Sequence, residues 1–278
     1  MEFKPHDYQT MCIDRIVKDK SVGLFLDMGL GKTIITLSAI MELKDRLDIF
    51  RVLVIAPKKV AESTWTTESK KWEHTKDLKI SKVLGSAKER IAAINQAADI
   101  YITNRDNVAW LCQTLGRKWF FDMVVVDESS SFKNPQAMRF KALKRTLPFV
   151  NRLVALTGTP NPKSMEDLWS QIYLLDRGER LGEYITHYRT RYFTKDYSGY
   201  GYTLKQGAKE AITKKISDIC ISLKAKDYLE LPSIVYNEVP VELDKKALKA
   251  YQDLEKNMVL SLDDSEITAV SAGVLTNK

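Results

Sequence analysis

The stretch Leu24 to Ile40, LFLDMGLGKTIITLSAI, is compatible with few folds. An apolar run stops at a glycine-containing turn, after which Ile34, Leu37 and Ile40 recur at helical spacing. A strand, a tight loop and a helix N-terminus in that order form an anion site, because backbone N–H groups and the helix dipole converge on one point. In the loop Gly29, Leu30 and Gly31, the glycines permit the dihedrals and the close backbone approach to phosphate that a side chain would obstruct. Lys32 would reach the β- and γ-phosphates of a nucleotide, and Thr33 would place its hydroxyl on magnesium. The loop departs from G-x-x-x-x-G-K-[ST], since Leu26 stands where that pattern begins with glycine. A nucleotide site therefore needs a second element elsewhere in the chain.

That element is found in FFDMVVVDE, Phe120 to Glu128, where an apolar run ends in two carboxylates. Asp127 would hold magnesium through water, and Glu128 would orient and deprotonate an attacking water. In a parallel sheet with right-handed crossovers the strand ends and their loops share one edge, so GLGKT and DE can face one ligand. A further run, Leu153 to Leu156, leads into Thr157, Gly158 and Thr159. Their hydroxyls could bond the carboxylate loop and report the state of the γ-phosphate, or the segment could be a plain turn.

Five apolar runs, at Val22 to Leu26, Arg51 to Ala56, Ala98 to Thr103, Met123 to Val126 and Leu153 to Leu156, alternate with helical patterns as far as Leu175. That order predicts an α/β domain with a mostly parallel sheet and helices on both faces. Phe3 to Ile16 reads as a helix ahead of the first strand; the amide of its Gln9 suits an adenine edge or faces solvent. Lys58 and Lys59 follow the second run and Arg105 follows the third, so each could contact a phosphate backbone or remain solvated. Trp65 and Trp72 sit on an amphipathic pattern and read as core or half-buried packing. Met165 to Leu175 reads as a helix.

From Gly178 onward the composition changes. Tyr184, Tyr188, Arg189, Arg191, Tyr192, Lys195, Tyr197, Tyr200 and Tyr202 interleave aromatic and basic residues, which suits either base stacking or a small polar subdomain over the core. Lys205 to Leu223 and Asp244 to Leu262 read as helices, with an extended segment from Leu231 between them. The ending ITAVSAGVLTNK reads as an apolar helix that needs a surface supplied by a further domain. The organisation expected is a lobe over 1–176 and a small, mainly helical extension over 177–278.

A chain of 278 residues with 44% hydrophobic content can bury one large core and an appendage. It has no apolar run long enough to cross a bilayer and no signal-peptide pattern at its start. The three cysteines are scattered, which favours a reducing, cytoplasmic setting. A net charge of +7 permits a polyanionic partner without requiring one.

The ordered set KPHDYQ (Lys4 to Gln9), DMGLGKT (Asp27 to Thr33), VLVIAPKKV (Val52 to Val60), VVVDESSSFKN (Val124 to Asn134) and LTGTPNPKSMEDLW (Leu156 to Trp169) resembles the first RecA-like lobe of superfamily 2 helicases. The match is closest to the Snf2-like branch of DNA-dependent ATPases and translocases. The resemblance implies ATP and Mg2+ as ligands, with Gln9 on adenine, Lys32 and Thr33 on phosphates and metal, Asp127 on the metal, and Glu128 activating water. It also implies that Thr157, Gly158 and Thr159 couple the nucleotide to duplex DNA, which would be held at Lys58, Lys59 and Arg105. Ser130 stands where this branch commonly has histidine. The family's second lobe, with its late arginine, has no counterpart up to Lys278, so a fragment of a longer phage or bacterial protein is expected, monomeric and weakly hydrolytic. The alternatives are an RNA-dependent helicase-type ATPase and a nucleotide-gated nucleic-acid-binding module without efficient turnover.

Overall fold

The computed structural model describes residues 1–158, 165–196, 201–228 and 248, and the backbone of 259–262 and 265–268. The described chain falls into two compact units, Met1–Glu230 and Leu231–Lys278. In the first, α1 (Asp7–Lys18) precedes β1 (Ser21–Leu26), α2 (Lys32–Asp45), β2 (Val52–Ala56) and α3 (Trp65–Lys71). Next come β3 (Ile80–Lys82), α4 (Ala87–Ile94), β4 (Ile100–Asn104), α5 (Val108–Leu115), β5 (Met123–Asp127), α6 (Met138–Thr146) and β6 (Arg152–Thr157). The unit closes with α7 (Leu168–Asp176), α8 (Ile185–Tyr192), β7 (Phe193–Lys195), β8 (Tyr202–Leu204), α9 (Ala208–Ile216) and β9 (Cys220–Leu223).

Seven strands form one sheet in the order β3-β4-β2-β5-β6-β1-β9, and every neighbouring pair is parallel. Parallel strands need helical crossovers, which cover both faces and leave the strands apolar on both sides. The alternation is visible residue by residue in β5: Met123 and Val125 join the core beneath α1 and α2, while Val124 and Val126 join the core beneath α5, α6 and α7. Arg152, at the start of β6, fastens α1 to the sheet by donating from Nη1 to the carbonyls of Ile16, Val17 and Asp19 at 3.2, 3.0 and 3.2 Å. These are carbonyls that a helix C-terminus leaves unpaired.

Several sequence expectations need correction. The helix expected over Lys205 to Leu223 is confined to α9, and Cys220–Leu223 instead pairs with β1 as the seventh strand of the sheet. β3 was not anticipated; its three residues gain their ladder from β4. In the second unit Val259–Leu262 (β10) pairs antiparallel with Ser265–Thr268 (β11), where the sequence predicts helix up to Leu262 and again from Ile267. The alternating VLSL sequence suits a pleated strand. Among the described residues from 177 onward, helices α8 and α9 alternate with the strands β7, β8 and β9.

Within the aromatic-basic span, Tyr188 and Tyr192 are buried in the core, and Tyr188 donates its hydroxyl to the Met165 carbonyl at 2.6 Å. Arg189 donates to Glu166 at 2.7 Å and lies over the Tyr202 ring. Packing, rather than base stacking, occupies these residues. Tyr197 and Tyr200 lie outside the described residues.

Candidate nucleotide site

The C-terminal ends of β1, β6 and β5 lie side by side, with Phe25 opposite Thr157 and Leu156 opposite Asp127. The loop after β1 turns through Gly29 (φ 87°) and Gly31 (φ 78°), and Gly31 caps α2 in the left-handed conformation. Leu30 between them is fully buried and anchors the loop to the core. Lys32 and Thr33 open α2, as expected, so their backbone N–H groups belong to the unpaired first turn of a helix.

Lys32 folds back into the loop, its Nζ donating to the carbonyls of Leu26 at 2.8 Å and Asp27 at 3.2 Å. Burial pushes its ammonium below the ordinary lysine pKa, against the opposing pull of Asp127, Glu128 and Asp27. Gly158 abuts the same group: a Cβ placed there would lie 3.6 Å from Lys32 Nζ. Thr159 lies outside the described residues.

Asp127 ends β5, and its Oδ2 accepts a hydrogen bond from Trp65 Nε1 at 2.9 Å. Burial pushes its carboxyl above the usual range; the Trp65 N–H opposes that shift, Glu128 adds to it and Lys32 opposes it. Glu128 then adopts a left-handed conformation, φ 56° and ψ 60°, which costs a non-glycine residue about 1–2 kcal/mol. This turn lets two successive residues serve one site although strand neighbours point to opposite faces. Glu128 Oε1 accepts from Ser130 Oγ at 2.9 Å and from Thr157 Oγ1 at 3.2 Å. Behind it, Ser129 Oγ donates to Gln171 Oε1 at 2.8 Å, tying the carboxylate loop to α7.

Gln9 is not the surface residue that one reading of its position allowed. It is 6% exposed, its Oε1 accepts from the His6 backbone N–H at 3.0 Å, and its Nε2 faces the Leu30 carbonyl at 3.5 Å. Lys58 and Lys59 are exposed directly beyond β2, and Arg105 is half-buried directly beyond β4. Both strands belong to the same parallel sheet, so all three cations lie on the edge that carries the loop of β1.

Two participants were not foreseen as such. The sequence pattern marks Trp65 only as packing, yet it also serves Asp127; it gives no sign of β9, and the Ala225 N–H beyond that strand donates to Asp27 Oδ2 at 2.9 Å. An open cavity of about 700 Å³ between α5 and α6, which includes Cys112, Met138 and Phe149, involves none of these residues. Among the described residues no group of three or more His, Cys, Asp or Glu could hold a metal by itself. Thr33 in the first turn of α2 and Asp127 at the end of β5 each carry a hard oxygen, the chemistry that a magnesium ion shared with phosphate oxygens takes. Among those residues no helix is long and apolar enough to cross a membrane.

Comparison with known proteins agrees with this architecture. Protein p41 of Acyrthosiphon pisum secondary endosymbiont phage 1 is 35% identical over 99% of this chain, which spans 62% of that relative's length. The mouse (Mus musculus) DNA excision repair protein ERCC-6-like is 30% identical over 60% of the chain and 14% of its own length. Among solved structures, the Sulfolobus solfataricus SWI2/SNF2 ATPase core in complex with dsDNA superposes with a TM-score of 0.66 at 26% identity, covering 81% of this chain and 45% of that one. The model of the SNF2-related domain matches residues 9–277, and the chain belongs to that family.

Proposed function

We propose that the chain is the ATP-binding and hydrolysing lobe of a DNA-dependent ATPase that translocates on duplex DNA. The observation that carries this reading is the set at one sheet edge, where Lys32 lies in the field of Asp127 and Glu128 while Glu128 is bonded to Thr157. A triphosphate entering at the start of α2 would replace the two carbonyls on Lys32 Nζ with phosphate oxygens and meet the backbone N–H groups beyond Gly31. Gln9, already buried beside Leu30, would read the adenine edge. Thr33 and Asp127 would hold magnesium, which when bound neutralises charge on the phosphates. Glu128, fixed by Ser130 and Thr157, would take the proton of the attacking water. In this chain Ser130 bonds Glu128 directly, so a hydroxyl takes a place that the family commonly gives to histidine.

Thr157 and Gly158 would carry the nucleotide state towards DNA, because a change at Glu128 reaches β6 through one hydrogen bond. Lys58, Lys59 and Arg105 would grip backbone phosphates, giving binding with little sequence preference and a strong salt dependence. The dsDNA bound by the Sulfolobus relative supports a duplex as the track.

The test is steady-state ATP hydrolysis with no nucleic acid, duplex DNA, single-stranded DNA or RNA, using this chain and a version extended beyond Lys278. Glu128→Gln serves as the blank. Selective stimulation of the extended protein by duplex DNA, lost in Glu128→Gln, is the expected result. Equal rates in all four conditions would refute the translocase reading.

A further inference from the structure

Trp65 is among the largest fully buried side chains of the protein, and packing alone would account for its ring. Packing does not account for its N–H. A buried indole donor needs a partner, and here the partner is Asp127 Oδ2 at 2.9 Å, the carboxylate proposed to hold the metal. The backbone ahead of Trp65 is also unusual. Val60–Thr64 forms a π-helical turn between the exposed Lys58–Lys59 pair and the start of α3. Each residue of an α-helix turns the side-chain direction by about 100°, so the extra residue of a π turn re-aims everything after it. Such turns are uncommon and concentrate at functional sites. At this place the turn precedes the one residue of α3 whose side chain bonds the Asp127 carboxylate.

We propose that Trp65 is a positioning residue for the metal site: its indole N–H fixes Asp127 Oδ2 and so presents the other carboxylate oxygen to magnesium held with the nucleotide. The inference rests on the nucleotide reading above and adds to it a residue outside the loop and carboxylate motifs. A carboxylate free to rotate about its Cβ–Cγ bond would lose part of its bound time in unproductive orientations. Removing a hydrogen-bond partner from a metal-ligating group typically costs 10–100-fold in metal affinity. The effect should therefore fall on the magnesium-dependent share of nucleotide affinity. The share due to Lys32 and the loop N–H groups should stay.

The experiment is calorimetric titration of the full chain with a non-hydrolysable ATP analogue, once with magnesium and once with EDTA. The quantity read is the dissociation constant in EDTA divided by that in magnesium. For Trp65→Phe, that ratio should fall by about 10-fold with the EDTA value unchanged. Trp65→3-benzothienylalanine, which keeps the bicyclic shape and lacks the N–H, should do the same without the cavity left by phenylalanine. In an Asp127→Asn background neither change should alter the ratio further. The proposal is overturned if the benzothienylalanine variant keeps the wild-type ratio, or if either variant weakens binding equally in both buffers. Absence of any nucleotide binding by the unaltered chain would instead sink the nucleotide reading, a separate and recognisable outcome.

Discussion

Gly31→Ala tests whether the loop is built to the tolerance its geometry implies. The position has φ 78°, and forcing an L-residue into the left-handed region costs roughly 1–2 kcal/mol. A Cβ there would also sit 2.6 Å from Gln9 Nε2 and 3.3 Å from Ile34 Cγ2, so one neighbour must move. The Gln9 amide is the softer of the two, but it is held by the His6 N–H at 3.0 Å. Displacing it forfeits a hydrogen bond worth about 1 kcal/mol. The sum is about 2–3 kcal/mol, which for a unit of this size lowers the melting temperature by about 4–12 °C. The two contributions separate by chemistry, since Gln9→Ala clears the space but leaves the dihedral. Equilibrium urea unfolding of Gly31→Ala should therefore show a cost about 1 kcal/mol smaller in the Gln9→Ala background than in the unaltered one. Equal costs in both backgrounds would refute the argument that Gln9 and Gly31 share one space, and with it the placement of Gln9 against the loop.

Thr157→Val removes the hydroxyl that reaches Glu128 Oε1 at 3.2 Å while keeping the shape of the side chain. Nucleotide affinity should stay within a factor of about 2, whereas duplex-stimulated turnover of the extended protein should fall by up to about 100-fold, the lower end of what a general base contributes; unchanged stimulation would argue against a coupling role. Replacing Lys58 and Lys59 together with alanine should reduce the slope of log affinity against log salt for duplex DNA by about 2, one counterion for each phosphate contact. A fluorescence-anisotropy salt series that keeps its slope would place the duplex elsewhere. Burial pushes the thiols of Cys12 and Cys112 up to about 11 from 9.0. Both thiols are acids with a raised folded pKa, so the unfolded chain loses their protons first, and stability should fall as pH rises from 9 towards 11. Iodoacetamide at pH 9 should alkylate both in urea and spare both in the folded protein, as mapped by peptide mass spectrometry.

What could be read in the chain itself was what local chemistry dictates. The strands β1, β2, β4, β5 and β6 are continuous apolar runs because a parallel sheet covered on both faces demands apolar side chains in both directions. The loop Gly29 to Thr33 and the pair Asp127 and Glu128 could be placed at strand ends for a similar reason: glycines and charged residues interrupt an apolar run where the chain leaves the sheet. Tertiary structure decided the remainder. β3 and β9, three and four residues long, carry too little pattern to declare themselves, and they exist as strands because β4 and β1 supply their hydrogen bonds. Gln9 and Trp65 have no local feature separating a packing role from a polar one. Contacts with Leu30 and with Asp127, distant in the chain, assign them. Local propensity acts over a few neighbouring residues, whereas the direction and burial of one polar side chain depend on which distant segments the sheet brings beside it.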